Sequence, residues 1–321
     1  MSAMPTTTAK TNAGNFFEDF TVGQVIEHAT PRTVTEGDRA LYGALYPTRF
    51  ALPSSAEFAA SVGLRGAPVE ELIAFHIGFG KTVPDVSLNA VANLGYAECR
   101  FHEPVVPGDT LSTRSEVIGL KENSNGRTGV VYVRSTATNQ RDEVAVEWCR
   151  WVMVHKRDAS SPAPETVVPE LAKVVDVADL AIPEGLDFTD YDFAAAGEPH
   201  RFDDYAVGEK IDHVDGVTLT DAEHMMATRL WQNTAKVHFN TEARRRQPPH
   251  LRRPRHLDGA RALLQRPGQR AAGRRDQRGR THLARLRRRH RVRVVRGPRQ
   301  GRDLRAGCRR PAPAPGGDPG S

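Results

Sequence analysis

An internal repeat constrains the fold of this chain more than any other feature of its sequence. Residues 17–23 read FEDFTVG and residues 202–208 read FDDYAVG, an offset of 185 residues. The register continues without a gap, because Thr35 lies opposite Thr220 and an acidic residue follows each of them three positions later. Repetition at a fixed offset indicates two copies of one structural unit, which we call the first module and the second module.

The repeat also sets the predicted domain boundaries. A polar N-terminus, residues 1–15, precedes the first module, residues 16–156. Residues 157–199 are rich in proline, alanine and acidic side chains, and we interpret them as the connection to the start of the second module, residues 200–243. An arginine-rich tail, residues 244–321, follows. The length of 321 residues is enough for two domains of ordinary size.

The same local signals recur in both modules. Thr35 and Thr220 begin the capping-box pattern that is typical of a helix N-terminus. The helices that they begin are predicted to run to about Tyr46 and Trp231. An aromatic and acidic lead with a Val-Gly turn predicts a strand before each helix. The two predicted strands are residues 24–34 and 209–219.

The first module continues with one long apolar helix and several strands. Pro68 stands near the predicted start of this helix, and apolar residues form a broad face as far as Phe79. A long helix followed by four antiparallel strands predicts an α+β fold, in which a curved sheet wraps the helix. The predicted strands are residues 89–101, 110–120, 128–138 and 143–154.

The overall charge of +6 hides two opposite regions. Residues 1–243 hold 20 basic and 35 acidic side chains, whereas residues 244–321 hold 25 arginines, no lysine and four aspartates. The tail also contains no Phe, Tyr, Trp, Ile or Met, so it cannot bury enough apolar area to offset its ordering entropy. We therefore expect the tail to be disordered. An arginine-rich nucleic-acid-binding arm is an alternative interpretation, although such an arm favours interleaved aromatic residues or lysines.

A shifted reading frame in GC-rich DNA is the interpretation that we favour for the tail. Residues 249–262 can be encoded so that the frame one base later reads LIYGGHVISMARA, which is typical of a buried helix. The same shift at residues 286–297 can give FAGDTVYAWSEV, in which the GDT and SEV elements of residues 108–117 return in order. On this hypothesis the second module is incomplete and this chain is impaired. Sequencing the coding DNA from codon 230 to the stop tests the hypothesis.

A polar pair distinguishes the second module from the first. Residues 231–240 contain Asn233 and His238, and the same offset places Thr48 and Pro53 at these positions in the first module. Histidine titrates near neutral pH and can accept a proton from water, whereas an asparagine amide can hold a water molecule but cannot act as a base. A polar pair in only one of two copies suggests a division of labour, in which the second module reacts and the first packs or binds.

The chain resembles the MaoC-like hydratases, and among them the mesaconyl-CoA (β-methylmalyl-CoA) hydratases. The resemblance covers about residues 16–243. Residues 233–238 keep the spacing of the family's D-x-N-P-x-H loop, although Asn233 replaces the acidic residue. The family's loop activates a water, so the resemblance implies that His238 is the acid–base residue and that Asn233 positions the water. The other segments that carry the resemblance read PVVPGDTL at 104–111, FHIGFGKTVPD at 75–85 and SLNAVANLGYAE at 87–98.

This resemblance implies a tandem, or double, hot-dog fold with an incomplete second hot-dog. It also implies a hydro-lyase that reversibly adds water to the double bond of a CoA thioester, most closely mesaconyl-CoA, without a cofactor. Backbone N–H groups in this family polarise the thioester carbonyl, which is often the largest catalytic term. A hot-dog thioesterase is the alternative enzyme. The partner that we expect is therefore an acyl-CoA, with no nucleic acid and no membrane, and a homo-oligomer is compatible with the resemblance.

Other polar residues are assigned secondary roles. Arg49, Lys81 and Lys236 flank the predicted site, and they are candidates for binding the CoA phosphates or a free carboxylate of the substrate. His28 and His213 occupy equivalent strand positions, so we expect a structural role for both.

The remaining sequence signals exclude several other classes of protein. Three cysteines without metal-ligand spacing, no glycine-rich phosphate loop and no apolar run of about 20 residues predict a cytoplasmic protein with no metal site.

Overall fold

The curved sheet and the helix that it wraps are the centre of the structure. A computed structural model describes residues 12–46, 48–174, 176–197, 200–211 and 218–240. The strands are β1 (Val25–Thr33), β2 (Ala90–Phe101), β3 (Thr110–Glu122), β4 (Thr128–Thr138) and β5 (Val144–His155). The helices are α1 (Glu36–Leu45), α2 (Ala51–Ser54), α3 (Ala56–Ser61), α4 (Glu71–Thr82), α5 (Phe193–Ala196) and α6 (Asp221–Leu230).

All strand pairs are antiparallel, and the strand order in the sheet is β1-β3-β4-β5-β2. The apolar helix α4 packs on the concave face of this sheet, where Ile73 and Ile77 are fully buried. Because α4 is apolar around most of its circumference, it is suited to a position under a sheet. A π-helical turn, Val83–Ser87, extends α4 towards β2. The predicted helix and the four strands that follow it are confirmed to within about three residues at each end.

Both predicted capping boxes are present. The Thr35 side chain accepts a hydrogen bond from the N–H of Asp38, and the Thr220 side chain accepts the equivalent bond from Glu223. The helices end at the caps Tyr46 and Trp231, as the sequence predicts.

The predicted strand at 209–219 is not present in its described part. Residues 209–211 and 218–219 are outside any strand, and residues 212–217, including His213, lie outside the described residues. The tail predicted to be disordered, residues 244–321, also lies outside them.

A buried polar belt divides the core of the first module into two apolar clusters. The His28 ring lies 2.8 Å from both Asp85 Oδ2 and Ser115 Oγ, and the Ser115 and Ser135 hydroxyls are 2.7 Å apart. Burial lowers the pKa of His28, although the hydrogen bond to Asp85 opposes this shift. Both ring nitrogens of His28 therefore have protein partners, and its structural role stays a prediction.

The belt continues to Arg150, whose side chain is fully buried. Its Nη2 donates to Thr82 Oγ1 at 2.8 Å, and its guanidinium lies 4.5 Å from the centre of the Phe79 ring. Burial lowers the pKa of Arg150 to about 10. The belt therefore places a positive charge beside the C-terminal end of α4.

Candidate active site

The loop that carries the predicted polar pair begins where α6 ends. Gln232 adopts a left-handed conformation with φ = 51°, which turns the chain out of the helix. The Asn233 N–H donates to the Thr228 carbonyl at 3.1 Å, and the Asn233 Oδ1 accepts from the Ala235 N–H at 2.9 Å. The Asn233 amide oxygen therefore stabilises the turn itself, as asparagine commonly does.

His238 lies in the short 3₁₀ turn Lys236–His238 and is half-buried. The centres of the His238 and His224 rings are 5.5 Å apart, and the two ring planes are at 62°. His224 is buried on α6, one turn before Thr228. Sequence reasoning missed His224, although its position on the buried face of α6 together with Ala227 could have indicated that it points towards the loop.

This segment of the second module packs on α1 and α4 of the first. The Trp231 ring is buried and stacks on His76 at a centroid distance of 5.0 Å, while its edge faces Tyr42 at 5.8 Å. Burial lowers the pKa of His76 to about 4, so its imidazole is neutral near pH 7. His76 is thus a neutral core histidine that carries a contact between the modules.

The three predicted substrate-binding cations have different environments. Arg49 is exposed between α1 and α2, and Lys236 is exposed beside His238. Lys81 is buried, and its ammonium donates to the Thr30 hydroxyl at 3.1 Å and to the Gln232 side-chain carbonyl. Burial, with a smaller contribution from Arg32, lowers the pKa of Lys81. The structure therefore brings Lys81 next to the loop and leaves the other two cations at the surface.

Cysteine chemistry and metal binding find little support in the described residues. Cys99 and Cys149 are buried free thiols, and burial raises the pKa of Cys149 to about 12, so neither is poised as a thiolate. In the ranges that the structure describes, no three His, Cys, Asp or Glu side chains are grouped so that they could hold a metal ion. None of the described helices is long and apolar enough to cross a membrane.

Comparison with known proteins identifies the family. Residues 2–250 match the mesaconyl-CoA hydratase family. The chain belongs to this family. A mesaconyl-CoA hydratase from Cereibacter sphaeroides is 67% identical over 235 residues, which are 73% of this chain and 68% of that protein. A β-methylmalyl-CoA dehydratase from Chloroflexus aurantiacus is 64% identical over 237 residues, which are 74% of this chain and 67% of that protein. The resemblance inferred from residues 16–243 is confirmed.

Solved structures support the fold. A MaoC domain protein dehydratase from Chloroflexus aurantiacus superposes with a TM-score of 0.74 at 60% identity, over 80% of this chain and 74% of that one. A protein from Mycobacterium tuberculosis that is described as having a double hotdog fold gives a TM-score of 0.51 at 24% identity, over 78% and 77% of the two chains. The predicted α+β, tandem hot-dog fold class is therefore confirmed.

Proposed function

We propose that this chain catalyses reversible hydration of a CoA thioester, with mesaconyl-CoA and β-methylmalyl-CoA as the two ends of the reaction. The observation that carries the proposal is the identity of 67% over 235 residues and of 64% over 237 residues with two relatives of those names. The loop from Gln232 to His238 lies within the family match. An acyl-CoA is accordingly the proposed partner.

The proposed chemistry assigns His238 the acid–base role. Its imidazole accepts a proton from water while the water oxygen bonds to the β-carbon of the enoyl thioester and the π electrons move to the thioester enolate. The resulting imidazolium then gives this proton to the α-carbon, which restores the thioester carbonyl and the neutral histidine. In the reverse direction the same residue donates the proton that leaves with the β-hydroxyl. Positioned general acid–base catalysis contributes roughly 10²–10⁴-fold in rate, so His238 is the residue whose loss should matter most.

Asn233 serves in this proposal as a positioning residue for the water. Its Oδ1 already accepts the Ala235 N–H, but a carbonyl oxygen has two lone pairs and can accept a second hydrogen bond from water. The turn hydrogen bond fixes the direction of the side chain, which favours a defined water position. His224, whose ring is 5.5 Å from that of His238, limits the orientations that the His238 ring can adopt.

Isotope incorporation separates hydration from thioester hydrolysis. The full chain is incubated with mesaconyl-CoA in H₂¹⁸O, and the products are analysed by mass spectrometry. Hydration gives an intact CoA thioester that carries one ¹⁸O at the hydroxyl group, and the enoyl absorbance near 240 nm falls. Free CoA with an ¹⁸O-labelled carboxylate indicates a thioesterase instead and would contradict the proposal.

A further inference from the structure

Three residues of the first module converge on the start of the reactive loop in the second module. Lys81 and Gly80 belong to α4, and Arg32 belongs to β1. We propose that these residues form an anchor that positions the loop carrying Asn233 and His238, so that the first module acts on the reaction through the second. This inference rests on the proposed function for its catalytic consequence, but its structural part can be tested independently.

Lys81 forms the centre of this anchor. Its side chain is 7% exposed, and its ammonium donates to Thr30 Oγ1 at 3.1 Å and to Gln232 Oε1. Both acceptors belong to non-glycine residues in the left-handed region, with φ = 64° at Thr30 and φ = 51° at Gln232. Such conformations are uncommon and persist where surrounding contacts hold them. One buried ammonium therefore links the irregular part of β1 to the turn that begins the loop.

Arg32 holds the end of α6. Its Nη1 donates to the carbonyl of Leu230, the last residue of that helix, and its Nη2 donates to Asp38 Oδ1. The last carbonyls of a helix lack partners within the helix and carry partial negative charge, so an arginine is a suitable donor there. Asp38 is itself fixed by the capping box of α1. The position of the α6 C-terminus is thereby tied to the α1 N-terminus.

Gly80 allows the backbone of α4 to approach the backbone of the loop closely. A Cβ atom at this position would lie 1.9 Å from the Trp231 carbonyl oxygen and 3.5 Å from the Asn233 N. No side chain fits at that distance without displacing the loop backbone. The glycine is therefore needed because the loop lies directly on α4.

These contacts assign Lys81 a positioning role rather than direct contact with CoA. Its two described acceptors are protein groups, and the residue as a whole is 7% exposed. A cation that binds phosphate directly would be expected to remain accessible to the ligand. The predicted substrate contacts at Arg49 and Lys236 are unaffected by this assignment.

Hydrogen–deuterium exchange of the full chain tests the anchor without requiring activity. In Lys81→Met, we expect the opening equilibrium of residues 230–240 to rise about 10-fold, as for the loss of one charge-assisted hydrogen bond, while exchange in β3–β5 stays unchanged. Gly80→Ala should act in the same direction, and Lys81→Arg should restore part of the protection. Gln232→Glu places a carboxylate beside the Lys81 ammonium, so the protection of residues 230–240 against exchange should increase. Because Gln232 is exposed, this variant should fold even if Lys81→Met does not.

Lys156→Met is the matched control. Lys156 is also a buried lysine of the first module, but its ammonium pairs with Glu122 at 3.0 Å, away from the loop. This variant should leave the protection of residues 230–240 unchanged. Unchanged protection of residues 230–240 in both Lys81→Met and Gln232→Glu would overturn the anchor. An equal rise in exchange across the whole sheet would overturn it as well.

Kinetics then separate the anchor from the proposed reaction. A positioning role predicts that Lys81→Met lowers kcat with little change in KM for mesaconyl-CoA, whereas direct CoA binding predicts a raised KM and overturns the assignment. If the variants show the predicted local exchange changes but the wild-type chain shows no hydration, the anchor stands and the proposed function fails.

Discussion

The phenylalanines that lead the two modules fold alike locally but differ completely in burial. Phe17 and Phe202 both begin a one-turn 3₁₀ helix, and each turn is closed by an aspartate side chain three residues after the cap. Phe17 is 0% exposed and packs on Gly129 of β4, whereas Phe202 is 91% exposed. The offset of 185 places the counterpart of Gly129 at residue 314, outside the described residues.

This comparison separates structural features that neighbouring residues determine from features that depend on packing against the sheet. Capping boxes and short turns depend on hydrogen bonds within four residues, so they form in both modules. Burial of the leading phenylalanine depends on a surface more than 100 residues away in sequence, and it is seen only in the first module. The stability of the described structure should therefore reside mainly in the first module.

The largest difference in stability is expected for the two phenylalanines. Phe17→Ala should lower the free energy of unfolding by about 3–5 kcal/mol, because it removes a fully buried aromatic ring from the core. The matched variant Phe202→Ala should change it by less than about 0.5 kcal/mol, since that ring is in solvent. Urea denaturation of both variants measures the difference, and similar losses in the two would show that the second module also buries its phenylalanine.

The next largest effect is a pH dependence at the contact between the modules. Burial lowers the pKa of His76 from 6.5 to about 4. Between pH 4 and pH 6.5 the unfolded chain therefore binds a proton at His76 that the folded chain does not. The contribution of His76 to the free energy of unfolding is therefore fully present above pH 6.5. It falls by about 3 kcal/mol as the pH is lowered towards 4.

His76→Phe tests this assignment by keeping a ring against Trp231 without a titrating group. Denaturation at pH 8, 6 and 4.5 should show a shallower decline for the variant than for the wild type. His28, whose pKa is also lowered, should preserve part of the decline in both. Parallel declines would show that His76 does not titrate in this range.

A smaller effect is expected when the polar positions of the two modules are compared. Asn233→Ala should lower kcat for hydration about 100-fold, because a misplaced water loses alignment with the double bond. Its counterpart Thr48 donates to Glu70 in the first module, so Thr48→Ala should leave kcat within about threefold. Initial rates at 240 nm with mesaconyl-CoA provide the comparison, and equal losses would argue against a division of labour.

The smallest effect is expected at the helix caps. Thr35→Ala should destabilise the protein by about 1 kcal/mol, because α1 packs within the core of the first module. Thr220→Ala removes an equivalent cap from α6. The cap hydrogen bond of Thr220 is exposed, whereas that of Thr35 is partly buried, so we expect less than about 0.5 kcal/mol globally. Thermal unfolding of the pair measures this, and a larger loss at Thr220 would reverse the ranking of the two modules.

Much of the first module could be predicted from sequence because its elements have strong periodicity. β4 was predicted with its observed bounds, and both capping boxes were predicted from four-residue patterns. The short helices α2 and α3 were not predicted, since helices of four to six residues depend on tertiary contacts such as the packing of Phe58 on Tyr191.

The residue types of the candidate site could be predicted from the sequence, but the contacts that hold those residues in place could not. The offset between modules indicated Asn233 and His238 directly. The role of Lys81 could not be read from sequence, because its partner Gln232 is 151 residues away. The contact exists only after the loop that follows α6 packs on α4. His224 was missed although its spacing from Ala227 could have indicated the buried face of α6, and its distance from His238 is known only from the structure.

The measurement that tests the central account most directly is kcat/KM for mesaconyl-CoA in the wild type and in His238→Ala, with unfolding midpoints recorded in parallel. We expect the variant to lose roughly 10²–10⁴-fold in kcat/KM at an unchanged midpoint, because His238 is half-buried at the edge of the structure. A variant that hydrates mesaconyl-CoA at nearly the wild-type rate would contradict the assignment of the reacting residue to the second module.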